Sequence, residues 1–133
     1  IGTRQYVQNK SYNVVAKITG TERPEEYVIY SAHWDHLGVG KADAEGDTIY
    51  NGALDNGSGT AGLLEIANAF VSLKIKPART VVFLFVTAEE QGLLGSAYYA
   101  ANPIYPPSKS VANINMDAIN GYGKMKDISL IGK

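Results

Sequence analysis

Two adjacent glutamates, Glu89 and Glu90, directly follow the apolar run VFLFV at residues 82–86. The run is rich in β-branched and aromatic side chains, which predicts a buried strand. Two carboxylates at the end of a buried strand are costly unless a positive charge holds them. A metal ion would hold both, with one Glu as ligand and the other as proton carrier. Taken alone, the pair also fits a solvated loop, because exposed Glu is common.

Acidic or imidazole side chains follow two further predicted strands as well. His33 and Asp35 follow one strand, Asp117 follows another, and Asp55 lies in the turn before the first predicted helix. Ligands bind at the carboxyl ends of strands in open α/β sheets, so these groups are expected to meet at one edge. A divalent cation would offset the repulsion between these negative groups. One imidazole with several carboxylates suits zinc better than manganese or cobalt. The spacing of His33 and Asp35 lets the carboxylate accept the second ring N–H.

Each candidate also has an ordinary structural interpretation. Asp55 and Asp117 fit turn positions, and His33 fits a polar residue at a strand end. Trp34 is interpreted as a packing residue, and His36 as a loop histidine that lines a pocket. The repetition of such groups at three strand ends favours a shared site over these separate interpretations.

Alternating strands and helices must position these residues. Strands are predicted at residues 11–18, 27–32, 80–86, 111–116 and 128–131, and helices at residues 58–73 and 93–101. The short connection between the first two strands predicts that they are antiparallel neighbours. Residues 39–54 lack periodicity and are predicted to form a long loop. The order of elements predicts an α/β sheet, parallel in its middle and antiparallel at its start.

Length and composition narrow the function classes. The chain has 133 residues, which suits one domain with one core. Its net charge is −1 and it has no basic run, which argues against a nucleic-acid partner. No apolar run reaches the length of a membrane span, which argues against a membrane partner. Cysteine is absent, which excludes disulfides and thiolate metal sites and leaves the compartment open.

Four segments resemble one enzyme family: SAHWDHLG, YNGALDNGSGTAGLLEIANAF, FVTAEEQGLLGS and NINMDAING. They are similar, in the same order, to the two-zinc exopeptidases of the aminopeptidase Y and glutamate carboxypeptidase type, which include bacterial leucyl-type aminopeptidases. The likeness spans residues 11–123. It implies a three-layer α/β/α sandwich around a mixed, mainly parallel sheet. It also implies that residues 1–133 form the N-terminal portion of a single zinc-exopeptidase-like catalytic domain.

The resemblance implies two zinc ions with one shared ligand. His33 and Asp117 would bind one zinc, Glu90 would bind the other, and Asp55 would bridge the two. Asp35 would orient His33 as part of the catalytic machinery.

The implied reaction is hydrolysis of the N-terminal peptide bond of a peptide with a free N-terminus. A metal-activated water would attack the bond, and Glu89 would act as general base. Three alternatives stay open: a carboxypeptidase or dipeptidase of the same superfamily, a glutaminyl cyclase-like enzyme with a single zinc, and a non-catalytic metal-binding fragment.

The chain departs from the family in one respect. The second zinc of the family also needs a histidine from a later segment, and this chain has no histidine after His36. His36 is expected not to supply this ligand, because it lies beside His33 and not beside Glu90. The Glu90 site is therefore expected to lack one ligand, in a C-terminally truncated fragment for which inactivity is expected at least as much as activity. Such a fragment is expected to self-associate through an exposed sheet edge. The resemblance implies export to the periplasm or the exterior.

Overall fold

The computed structural model describes residues 8–119, 121, 123 and 124. The strand predicted at residues 128–131 lies outside the described residues. In chain order, the elements are β1 (Val14–Ile18), β2 (Arg23–His33), β3 (Gly38–Val39), β4 (Ile49–Tyr50), a π-helical turn (Ala53–Ser58), α1 (Gly59–Ser72), β5 (Arg79–Val86), α2 (Leu94–Ala101), a 3-10 turn (Pro107–Lys109) and β6 (Ser110–Asn115).

Four of the strands form one mixed sheet, in the order β1-β5-β2-β6. Strand β2 runs parallel to both of its neighbours, β5 and β6, and β1 runs antiparallel to β5. The predicted mixed and mainly parallel sheet is therefore confirmed. Strand β6 forms one edge, and its side chains are largely exposed.

The predicted pairing of the first two strands is wrong. Strand β1 pairs with β5, as in the register Val15 to Leu84, and β5 separates it from β2. The reason lies in β5, whose side chains on both faces are almost all buried. A strand with two apolar faces needs neighbours on both sides and a layer above and below. The central position meets that need, so the short connection between β1 and β2 spans an intervening strand.

The sheet is covered by one helix on each face. Leu63 of α1 packs with Val81 and Phe83 of β5 on one side. On the other side, Tyr99 of α2 packs with the alternate β5 residues Val82 and Leu84. The strand period of two sends successive side chains to opposite faces, which divides the core in this way. The three-layer α/β/α arrangement implied by the resemblance is confirmed.

The segment predicted as a long loop contains a small hairpin. Strands β3 and β4 pair antiparallel, with Gly38 opposite Tyr50 and Val39 opposite Ile49. Each of these strands has only two residues, and all of them are exposed. Such short strands give no periodic hydrophobic pattern in the sequence. Neither described α-helix has the length and apolar character needed to cross a membrane.

Candidate metal centre

The carboxyl ends of β2, β5 and β6 meet at one edge of the sheet. His33, the last residue of β2, pairs with Val86, the last residue of β5. Beyond β6, the backbone N–H of Met116 donates to the carbonyl of Ser31 at 2.9 Å, which continues the parallel pairing. The next residue, Asp117, is thereby placed beside His33. The predicted convergence of strand ends is present.

His33, Asp55 and Asp117 form a first cluster. Nε2 of His33 lies 3.0 Å from Oδ1 of Asp55 and 3.3 Å from Oδ1 of Asp117. The His33 side chain is 3% exposed. Bonds of about 2 Å to a tetrahedral zinc place neighbouring ligand atoms about 3.3 Å apart. The spacing in the first cluster therefore suits ligands of one zinc ion.

The ring of His33 is held by Asp35, although not by the predicted atom. Nδ1 of His33 donates to the backbone carbonyl of Asp35 at 3.0 Å, while the Asp35 carboxylate lies 3.8 Å away. Oδ1 of that carboxylate instead accepts the backbone N–H of Glu89 at 3.1 Å. Asp35 thus fixes the ring through its backbone and the Glu89 segment through its side chain.

The electrostatics around His33 favour a positive charge at Nε2. Burial by itself lowers the pKa of His33, but the hydrogen bond to the Asp35 carbonyl and the charges of Asp117 and Glu89 outweigh it and raise the pKa. With Nδ1 donating, the neutral ring presents the Nε2 lone pair to two carboxylates. A proton or a metal ion between these atoms removes the repulsion.

Asn56 secures the loop that carries Asp55. Its side chain is 2% exposed, and its Nδ2 donates to the carbonyl of Met116 at 2.9 Å. Its Oδ1 accepts the backbone N–H of Gly59 at 2.9 Å and that of Ala118 at 3.2 Å. A Cβ at Gly59 would clash with Asn56 and with the carbonyl of Met116. No local sequence pattern indicates this link between Asn56 and the segment that bears Asp117.

His36, Asp55 and Glu90 form a second cluster. Nδ1 of His36 lies 2.6 Å from Oε1 of Glu90, and both side chains are largely buried. The prediction that His36 does not lie beside Glu90 is therefore wrong. The loop after β2 folds across the edge of the sheet, so closeness to His33 in the chain does not prevent His36 from reaching the residues that follow β5.

Glu89 lies beside the first cluster and belongs to neither cluster. Its Oε2 is 4.0 Å from Nε2 of His33. A tight turn holds the segment: the carbonyl of Glu89 accepts the N–H of Gly92 at 2.9 Å, and that of Thr87 accepts the N–H of Gly95 at 2.9 Å. A Cβ at Gly95 would clash with Thr87, so the approach requires glycine.

The donor set fits a divalent cation such as zinc. Each cluster offers one imidazole nitrogen and two carboxylates, which are ordinary zinc ligands. Among the described residues, only His33 and His36 form ion pairs with the carboxylates of this edge. The remaining negative charge is therefore available to a metal ion.

A cavity of about 450 Å³ opens beside the first cluster and Glu89. Its walls are mostly apolar and come from β2, β5, α2 and the segment after α2, with Ile29, Leu84, Val86, Tyr99 and Tyr105 among the lining residues. An apolar cavity next to polar, reactive groups is the usual form of a small-molecule or peptide side-chain site.

Comparison with known proteins identifies the family that this sequence resembles. Residues 13–133 match peptidase family M28. Carboxypeptidase Q of Rattus norvegicus is 37% identical over 99 residues, which cover 74% of this chain and 19% of that protein. The chain thus spans about a fifth of the length of that relative.

Two solved structures share the fold. A zinc aminopeptidase from Bacillus subtilis is 29% identical with a TM-score of 0.64, over 80% of this chain and 24% of that one. A glutaminyl cyclase from Porphyromonas gingivalis is 30% identical with a TM-score of 0.66, over 80% of this chain and 40% of that one. These similarities confirm the family resemblance seen in the sequence.

Proposed function

The chain belongs to peptidase family M28, and on that premise we propose that its sheet edge is the metal centre of a zinc-dependent aminopeptidase. The substrate is a peptide with a free N-terminus. His33, Asp55 and Asp117 would hold one zinc ion, and Glu90 and Asp55 would help to hold a second. Bound zinc would polarise the peptide carbonyl and lower the pKa of the attacking water.

Glu89 is the general base in this proposal. It takes a proton from the attacking water and passes it to the leaving amine. The proposal rests on the position of its carboxylate, 4.0 Å from Nε2 of His33 and outside both clusters. A carboxylate that is close to the metal ligands but not one of them is free to exchange protons. The hydrogen bond from its backbone N–H to Asp35 keeps it there.

The charge of the edge favours a substrate amino group over a substrate carboxylate. Among the described residues, neither lysine nor arginine forms an ion pair with Asp55, Glu89, Glu90 or Asp117. A carboxypeptidase substrate brings a negative terminus, which usually requires such a cation. An aminopeptidase substrate brings a positive or neutral terminus that carboxylates attract.

The cavity beside Glu89 supports an apolar side chain at the cleaved residue. Leu84, Val86 and Tyr99 line it, and a leucine or phenylalanine side chain would bury its surface against them. We therefore expect leucyl and phenylalanyl substrates to be hydrolysed faster than aspartyl and lysyl ones.

The test is hydrolysis of leucyl-p-nitroanilide by the purified protein and by Glu89→Gln. The wild type should lose activity to a chelator and regain it with zinc, and N-acetylation of the substrate should abolish hydrolysis. Glu89→Gln should lower kcat by about 10²–10⁴-fold, as expected for loss of a general base. Its zinc content, measured by elemental mass spectrometry, should equal that of the wild type.

Glu45→Gln is the matched control, because it removes the same charge from the exposed hairpin loop. It should leave kcat unchanged. Normal turnover in Glu89→Gln would show that another group is the base.

Glutaminyl cyclisation is a second candidate, favoured by the likeness to the Porphyromonas gingivalis enzyme at a TM-score of 0.66. A peptide that begins with glutamine separates the two reactions. Cyclisation releases ammonia and keeps the peptide intact, whereas aminopeptidase action releases free glutamine. Mass spectrometry of the products decides between them.

A further inference from the structure

The loop that carries Glu89 and Glu90 has a strained backbone. Within residues 87–95, called here the Glu89 loop, Ala88 and Leu93 adopt left-handed conformations with φ angles of 53° and 61°. Residues other than glycine rarely adopt this conformation, and they keep it only where the surrounding structure imposes it. Contacts from other parts of the chain are therefore expected to hold the Glu89 loop in place.

The side chain of Asn13 bonds both ends of the Glu89 loop. Its Oδ1 accepts the backbone N–H of Thr87 at 3.0 Å, and its Nδ2 donates to the carbonyl of Gly95 at 2.8 Å. A Cβ at Gly95 would lie 2.6 Å from the same Oδ1, so the carboxamide lies directly against the Gly95 backbone. Asn13 thus uses both its donor and its acceptor to join the two ends.

Strand pairing determines the position of Asn13. Strand β1 pairs with β5 so that Val14 lies opposite Phe85. Asn13 comes one residue before β1, and this register places it at the end of β5, beside Thr87. Thr87 is 8% exposed, which leaves little room for water to replace Asn13 as the acceptor for its N–H.

The two residues before Asn13 contact the same edge of the sheet. The carbonyl of Tyr12 accepts the indole N–H of Trp34, in the loop after β2, at 3.1 Å. The hydroxyls of Ser11 and Thr87 hydrogen-bond to each other at 2.6 Å. The segment before β1 is therefore bonded to the residues that follow both β2 and β5.

We propose that Asn13 is a positioning residue, whose carboxamide closes the Glu89 loop and so holds the Glu89 carboxylate beside His33. This inference rests on the proposed function, in which Glu89 carries the proton. That carboxylate lies 4.0 Å from Nε2 of His33, and its loop is bonded to the rest of the fold through Asn13 and through Asp35. A displacement of about 1 Å at a reacting group can lower a rate about 100-fold.

A double-mutant cycle tests whether Asn13 acts through Glu89. Hydrolysis of leucyl-p-nitroanilide is measured for the wild type, Asn13→Ala, Glu89→Gln and the double variant, with each rate expressed per folded molecule. Asn13→Ala should lower kcat about 10–100-fold and change KM less than about two-fold. In the Glu89→Gln background, the same substitution should change kcat less than about two-fold, because no base is left to position. Equal losses of kcat in both backgrounds would show a general structural effect and overturn the proposal.

Two further variants complete this test. Asn13→Asp keeps the shape of the side chain and the acceptor for Thr87, and it replaces the N–H donor to Gly95 by an oxygen. It should also lower kcat, and this loss should likewise disappear in the Glu89→Gln background. A wild-type kcat in Asn13→Asp would overturn the proposal even if Asn13→Ala failed to fold. Asn9→Ala is the matched control, because it removes an exposed asparagine from the same segment and should leave kcat unchanged.

Amide hydrogen exchange of the zinc-free chain tests the same contact without turnover. The N–H groups of Glu89 and Leu93 donate to Asp35 and to the Glu89 carbonyl, not to Asn13. In Asn13→Ala, both should exchange at least about 10-fold faster, while the amides of α1 keep their rates. Faster exchange at Thr87 alone would show that the Glu89 loop keeps its place without Asn13, and would overturn the proposal. A wild-type chain that hydrolyses no peptide would refute the proposed function, whereas the exchange rates would still decide whether Asn13 holds the loop.

Discussion

The two clusters at the sheet edge share Asp55 but come from different parts of the fold. In the first cluster, His33 ends β2 and Asp117 follows β6. In the second cluster, His36 and Glu90 both lie in loops, after β2 and β5. The His33 side chain is 3% exposed, against 22% for His36.

This difference shows what holds each set of ligands in place. Backbone pairing between β2, β5 and β6 fixes the ligands of the first cluster, through contacts such as the hydrogen bond from Met116 to Ser31. The second cluster depends on side-chain and loop packing, above all on the close approach of His36 to Gly52. We expect the first site to be more rigid and to bind zinc more tightly.

Asp55→Asn gives the largest expected effect, because this residue serves both clusters. Its carboxylate lies 3.0 Å from Nε2 of His33 and also belongs to the group with His36 and Glu90. Replacing an anionic ligand by a neutral amide should lower zinc affinity at both sites by at least 100-fold and abolish turnover. Zinc titration followed by calorimetry measures both affinities.

Asp43→Asn is the control for that variant. Asp43 is also a loop aspartate, but its Oδ1 accepts the N–H groups of Glu45 and Asp47 in the exposed hairpin. It should bind zinc as the wild type does. If Asp55→Asn weakened only one site, the two clusters would not share this ligand.

Asn56→Ala should separate the clusters. It removes the hydrogen bonds to Met116, Gly59 and Ala118, which tie the Asp55 loop to the segment bearing Asp117. Leaving buried backbone groups unpaired should lower the free energy of unfolding by about 2–3 kcal/mol. Urea unfolding of the zinc-free chain measures the loss.

The zinc affinities of the same variant sharpen the comparison. The first site should weaken more than the second, because Asp117 loses its anchor while His36 and Glu90 keep theirs. Asn51→Ala is the control, since Asn51 is exposed and its amide makes only a long contact of 3.4 Å with Ile49. Equal weakening of both sites would show that the clusters depend on the Asp55 loop to the same degree.

The sequence predicted well where one local pattern determined the structure. The apolar run before Thr87 indicated the central strand, observed as Arg79–Val86, and the groups that follow each strand indicated where they meet. The parallel register of neighbouring strands then brings strand ends together without further information. Fold class and first-cluster geometry could be anticipated for this reason.

Features that depend on distant parts of the chain were missed. The neighbour of β1 is decided by competition for the two edges of β5, which local spacing does not show. The approach of His36 to Glu90 depends on how residues 37–52 fold. At Gly52, the absence of a side chain leaves room for the His36 side chain. The available sequence signal was Gly52, which lies between His36 and Asp55 in the chain. A single glycine does not predict which side chain will pack against it.

The pH dependence of stability gives the smallest expected effect and isolates the first cluster. In the zinc-free chain, burial lowers the pKa of His33, but the Asp35 carbonyl and the charges of Asp117 and Glu89 raise it above the ordinary value. A raised folded-state pKa means that the protonated ring stabilises the fold. This contribution is fully present below about pH 6.5 and is lost as the pH rises through the raised pKa.

Zinc should reverse that trend, because a metal-bound imidazole must give up its proton. The stabilisation by zinc, measured as the shift in the free energy of urea unfolding, should therefore grow with pH over the same window. His33→Gln should flatten the zinc-free profile there, while Leu37→Ala should reproduce the wild type. Parallel pH profiles of stability for the zinc-free wild type and His33→Gln would show that the buried ring does not carry the charge that Asp117 and Glu89 favour. The first cluster would then not differ from the second in its electrostatics.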